Sequence, residues 1–135
     1  MRKVPADKSD FYSARAIEIE GQVYGHLGKN KRIARCINWS NDFVDLRYER
    51  KGDLETYLKN THLMDHVKYR IARQAIEAVV FIHEKDVIHS DLSARQFLMD
   101  KKYNIRLAQY DPPWPYWSFG RKEQPLQQSL DRYLL

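Results

Sequence analysis

Two carboxylates stand where a side chain does chemistry: Asp91, in a short polar loop, and Glu20, on an apolar helical face. Residues 87–108 read VIHSDLSARQFLMDKKYNIRLA. The pattern is a short apolar strand, a polar loop carrying Asp91, and two β runs, Phe97-Leu98-Met99 and Ile105-Arg106-Leu107. The runs are joined by the solvated turn Asp100-Lys101-Lys102-Tyr103-Asn104, a hairpin signal. A loop held between strands presents its side chains from a fixed frame, so Asp91 is a carboxylate on a scaffold rather than on a floppy surface. Glu20 follows from helical spacing: Ala16, Glu20, Val23 and Leu27 make one stripe of a 3.6-residue period. Glu18 lies about 200° away from it. A carboxylate on an inward stripe is costly unless it is paired.

The elements that must position these groups belong to a chain of 135 residues, the size of one small domain. It is 43% hydrophobic and 30% charged, as soluble globular proteins are. The net charge is +5, but 23 basic and 18 acidic residues are interspersed without a block of one sign. That pattern predicts an ordinary solvated surface rather than a nucleic-acid or membrane site. The single cysteine, Cys36, excludes an internal disulfide and is expected as a small core filler in a reducing compartment, cytoplasmic or nuclear. No apolar stretch approaches the ~20 residues that span a bilayer, and the first residues lack a signal-peptide core.

In chain order, Pro5 ends any strand around Lys3. Ser9 or Asp10 caps a helix running to about Leu27, with Gly28 as its stop. Residues 33–39 and 43–48 are β-compatible around Ser40-Asn41-Asp42, with Val44, Leu46 and Tyr48 facing inward. Lys51-Gly52-Asp53-Leu54 is a breaker and cap opening a short helix through Leu58. The clearest helix covers 69–83, with Ile71, Ala75, Ala78, Val79 and Ile82 on its stripe and Gln74 off it. His83, near its end, is expected to be a structural hydrogen-bonding residue. The stretch 112–117, PPWPYW, is rigid and aromatic and reads as a strap over an exposed core; 124–135 suits a short helix.

His89-Ser90-Asp91-Leu92-Ser93-Ala94-Arg95-Gln96 resembles the H-R-D-L-x-x-x-N catalytic loop of eukaryotic protein kinases, and the chain is similar to small kinase-like proteins of filamentous fungi. The resemblance implies an α+β, partial kinase-like fold: an incomplete N-lobe sheet with helix C, then the first helices and catalytic-loop hairpin of the C-lobe. Residues 1–110 would form that domain (1–50 the N-lobe remnant, 51–110 the start of the C-lobe), with 111–135 a tail outside it. Asp91 would be the base that accepts the substrate hydroxyl proton. Lys3 and Glu20 match the ion pair that orients ATP phosphates. Leu46, Tyr48 in the hinge, Asp53 and Leu98 would complete the nucleotide pocket, Asp53 being equally a plain helix cap.

The sequence also departs from the family. Ser90 replaces the Arg and Gln96 the Asn, and Gln109-Tyr110-Asp111 stands where D-F-G is expected. Gln96 and Gln109 thus put neutral amides at both metal positions, and Mg²⁺ prefers harder, anionic oxygens. No G-x-G-x-x-G stretch and no A-P-E is found. The implied function is a degenerate or truncated kinase domain with little or no phosphotransfer, a binding or scaffold module. The alternatives are an active serine/threonine-type kinase using Asp91, and a small-molecule kinase of the aminoglycoside or choline type. ATP is the implied cofactor. A protein covering the exposed C-lobe core is the implied partner, with no nucleic acid and no membrane.

Overall fold

The computed structural model describes residues 1–89 and 92–108. Asp91, Gln109 and the tail with its aromatic run therefore lie outside the described residues. The described elements, in chain order, are β1 (Arg2–Lys3), α1 (Phe11–Leu27), β2 (Cys36–Trp39), β3 (Val44–Leu46), α2 (Leu54–Asn60), α3 (Asp65–Glu84), β4 (Phe97–Met99) and β5 (Ile105–Leu107). Helices and strands are mixed without alternating βαβ units, which makes the class α+β. Among the described residues no helix is long and apolar enough to cross a membrane.

The first three strands form an antiparallel sheet in the order β1-β3-β2. Helix α1 packs against it through its apolar side, and both of its ends are chemically defined. Asp10 accepts hydrogen bonds from the Tyr12 and Ser13 amides, and Gly28 turns the chain at φ 67° while its N–H returns to the Tyr24 carbonyl. The buried side of α1 carries Ile17, Ile19, Val23, Tyr24 and Leu27, with Glu20 among them. Gly21 and Gly25 make room for the Trp39 ring, since a Cβ on either would come within 2.7 or 3.0 Å of it.

The hairpin β4–β5 pairs Phe97 with Leu107 and Met99 with Ile105, and these four side chains are buried. Its turn is braced by Asp100, whose Oδ1 accepts from the Lys102 and Asn104 amides at 2.8 and 3.0 Å. Backbone bonds grip the hairpin from both edges. Ala34 and Arg32 bond Leu107 on one side, while Lys51 and Gly52 bond Met99 on the other. Helix α3 closes the core beneath it through Ile71, Ala78 and Ile82.

Three expectations are corrected. Helix α3 starts at Asp65, not near 69, and its buried stripe includes Gln74, which is 2% exposed, while Val79 is only half-buried. At 100° per residue Gln74 lies about 60° from Ile71 and Val79 about 80°, so the helix rotates its polar residue inward once that residue finds partners. Tyr48 does not continue the inward alternation; the strand ends at Leu46, and Tyr48 is 66% exposed. Glu49 is buried in its place because the chain leaves the sheet in a turn closed by the Gly52 N–H on the Glu49 carbonyl. His83 is exposed at the end of α3 rather than built into the packing.

Candidate functional site

Lys3 sits opposite Val44 in the sheet register, on the face from which Val44 and Leu46 point into the core. That face looks at α1, where Glu20 is buried. The Lys3 ammonium donates to both carboxylate oxygens of Glu20, at 2.6 and 2.7 Å. The carboxylate on the inward stripe therefore has a charged partner. Leu46 is fully buried beside this pair, and Cys36, opposite Leu46 across the sheet, is half-buried against the core. Burial, and then the Glu20 charge, push the Cys36 thiol up, which keeps it a neutral filler.

The second group of residues is assembled by backbone pairing. Asp53 and Leu98 form an antiparallel bridge, so the start of α2 lies against β4. The Asp53 carboxylate accepts the Thr56 amide at 2.8 Å, and that bond holds its carboxyl below the usual value. Asp53 is thus a helix cap in the structure, and its place beside the half-buried Leu98 leaves the ribose-facing role open to it. Tyr48 stands apart from these residues in its environment, exposed on the wall of a polar groove.

Gln96 ends a single 3₁₀ turn, Ala94–Gln96, and is 1% exposed. Its carbonyl accepts the Ala108 N–H at 2.8 Å, which holds the end of the loop against the residue following β5. Tyr24 of α1 donates its hydroxyl to the Ala108 carbonyl, tying the same point to the first helix. Asp91 and Gln109, the proposed base and the second metal position, fall outside the described residues. Among the described residues no group of three or more His, Cys, Asp or Glu is placed to hold a metal ion.

Sequence reasoning missed the polar clamps. Gln74 accepts the Ile105 amide at 2.9 Å and donates to Asn104 at 3.0 Å, joining α3 to the hairpin. Its position three residues after Ile71 and four before Ala78 was the available signal. Arg106 bridges Glu49 at 3.2 Å and Asp100 at 3.0 Å, and Arg32 pairs with Glu77 at 2.8 Å. No local pattern announces either pairing.

The sequence model of the family described as protein tyrosine and serine/threonine kinase matches residues 9–111. The chain is 38% identical over 69 residues to a carbon catabolite-derepressing protein kinase of Secale cereale, a match covering 50% of this chain and 14% of that protein. It is 34% identical over 97 residues to the phosphorylase b kinase gamma catalytic chain, liver/testis isoform, of Mus musculus, covering 71% of this chain and 24% of that one. An Aurora kinase of Candida albicans is 27% identical over 101 residues, covering 71% of this chain and 18% of the relative. The matches therefore span less than a quarter of the length of these relatives.

Proposed function

The chain belongs to the protein tyrosine and serine/threonine kinase family and has a partial α+β fold of that kind, and from this premise we propose that it is a degenerate kinase domain. In this reading it transfers little or no phosphate and serves as a binding or scaffold module. One observation carries it: neutral amides, Gln96 and Gln109, at both positions where the family holds its metal. Kinase chemistry is mostly positioning and charge stabilisation around phosphates and Mg²⁺. Two amide carbonyls are a poor donor set for that cation, which usually takes one or two carboxylates besides phosphate. The donor set does not fit the metal.

The chain's other residues support nucleotide contact without turnover. Lys3, oriented by two short bonds to Glu20, offers an ammonium to an anionic oxygen. Leu46, Asp53 and Leu98 supply apolar and polar lining in the reading drawn from the resemblance. Asp91 keeps a proton acceptor, yet the charge that develops on a transferring phosphoryl group has little to meet it.

A thermal-shift titration with ATP, with and without Mg²⁺ or Mn²⁺, tests this on the full chain beside Asp91→Asn and Gln109→Asp. A small shift indifferent to metal is expected for the parent, with metal dependence gained in Gln109→Asp. A large metal-dependent shift in the parent, with ATP turnover lost in Asp91→Asn, would favour the second reading, an active serine/threonine-type kinase. The formed Lys3–Glu20 pair is the observation on that side, because active kinases need such a pair in place.

A further inference from the structure

The basic residues interspersed along the sequence do not stay interspersed once the chain folds. A groove of ≈ 500 Å³ runs between the turn that follows β3 and the turn joining β4 to β5. Arg35, Arg47, Arg50, Lys101 and Lys102 line it, and all five are exposed. Arg106 lies there too, but it is committed to Glu49 and Asp100. Among the described residues the ion pairs use other cations, so the five face solvent without a carboxylate at pairing distance. Six cationic side chains against two anionic ones gather into this groove an excess close to that of the whole chain, whose net charge is +5.

The walls are fixed before any ligand arrives. Asp100 braces one turn through the Lys102 and Asn104 amides, and Arg70 donates to the Lys102 carbonyl at 3.1 Å. The other wall is held by the Arg47 N–H on the Arg35 carbonyl and the Gly52 N–H on the Glu49 carbonyl. A concave site lined by one sign of charge focuses its field and raises the local concentration of an oppositely charged partner.

We propose that this groove docks an extended, carboxylate-rich segment of a partner protein. The lining favours a peptide over a nucleic acid. Among the described residues Tyr48 is the only aromatic in the lining, and single-strand binding relies on successive stacking platforms. The groove's charge alone carries the proposal, which stands whether or not nucleotide binds.

The test is fluorescence anisotropy of the full chain with a short fluorescein-labelled Glu/Asp-rich peptide and its Gln/Asn counterpart. Arg50→Glu/Lys101→Glu is measured alongside, with thermal midpoints recorded. The acidic peptide should bind more weakly as salt rises to about 0.15 M, and the neutral one should not bind. The double variant should weaken binding roughly tenfold or more at an unchanged thermal midpoint. Should that variant fold poorly, Lys101→Gln/Lys102→Gln on the exposed turn replaces it, with the same loss expected. Equal binding of both peptides, or undiminished binding by the folded variants, overturns the proposal. So does binding of a single-stranded oligonucleotide or of phosphatidylserine vesicles when the acidic peptide fails to bind.

Discussion

The Glu20 side chain is 3% exposed and that of Lys3 22%, so the two ends of their ion pair respond differently to losing a partner. Lys3→Met takes the ammonium away from a buried carboxylate and should cost about 3 kcal/mol. Glu20→Gln leaves an ammonium with a route to water and should cost about 1.5 kcal/mol, the lower end of the value of a lost charged hydrogen bond. Urea denaturation of the two variants checks the order; a costlier Glu20→Gln would mean that Lys3, not Glu20, is the trapped charge. Asp53 gives a pH-dependent prediction. Its Thr56 bond depresses the folded carboxyl, so its contribution is complete above the unfolded carboxyl range, around pH 4, and is lost as pH falls through the lower folded value. Asp53→Asn keeps a capping oxygen but removes this titration. Compared with the parent, it should therefore be less stable at pH 7 and converge with it in acid. Asp7, Asp45 and Asp100 are depressed too, so a residual acid slope should survive in the variant.

At the scale of elements, the clamp between α3 and the hairpin and the seat of Trp39 on α1 are both open to mutation. Gln74→Leu leaves the Ile105 amide buried without its acceptor and should cost about 1–3 kcal/mol. Hydrogen exchange of that amide should accelerate with it, and unchanged exchange would show that the bond is dispensable. Gly21→Ala sets two effects against each other. Alanine gains about 1 kcal/mol of helix propensity, but its Cβ would stand 2.7 Å from the Trp39 ring. The substitution should be destabilising in the parent and stabilising by about 1 kcal/mol in a Trp39→Ala background, a sign change that a denaturation cycle reads directly. The same elements show what a single sequence discloses. Caps, glycine stops and hairpin turns act within a few residues, so α1, α2 and β4–β5 were readable from spacing. Gln74 to Ile105 and Arg106 to Glu49 are separated by 31 and 57 positions, and such pairings exist only once the fold has chosen them. The Lys3–Glu20 pair is equally non-local, and it was reachable only because the catalytic-loop resemblance named its partner.

On the scale of the whole molecule, the described part of α3 has two apolar sides. Ile71, Ala78 and Ile82 enter the core, while Tyr69, Ile76 and Val80 lie about 140–180° around the helix from Ile71 and are 77%, 64% and 48% exposed. Periodicity identified the first side, but it cannot separate a second stripe from scatter when the residues fall at 69, 76 and 80. Three large apolar side chains on one solvent-facing stripe form the kind of patch that soluble monomers keep small. Ile76→Lys is the discriminating substitution, because it adds charge at the centre of that stripe without touching the core. If the face is bare in solution, the change should move stability by no more than about 0.5 kcal/mol. Ile82→Ala, made as the core reference, should cost roughly 2–5 kcal/mol by leaving a cavity. A loss from Ile76→Lys as large as that reference, measured by urea denaturation at several protein concentrations, would mean the stripe is covered. Its concentration dependence would then tell a cover within the chain from one supplied by a second copy, since only association responds to mass action.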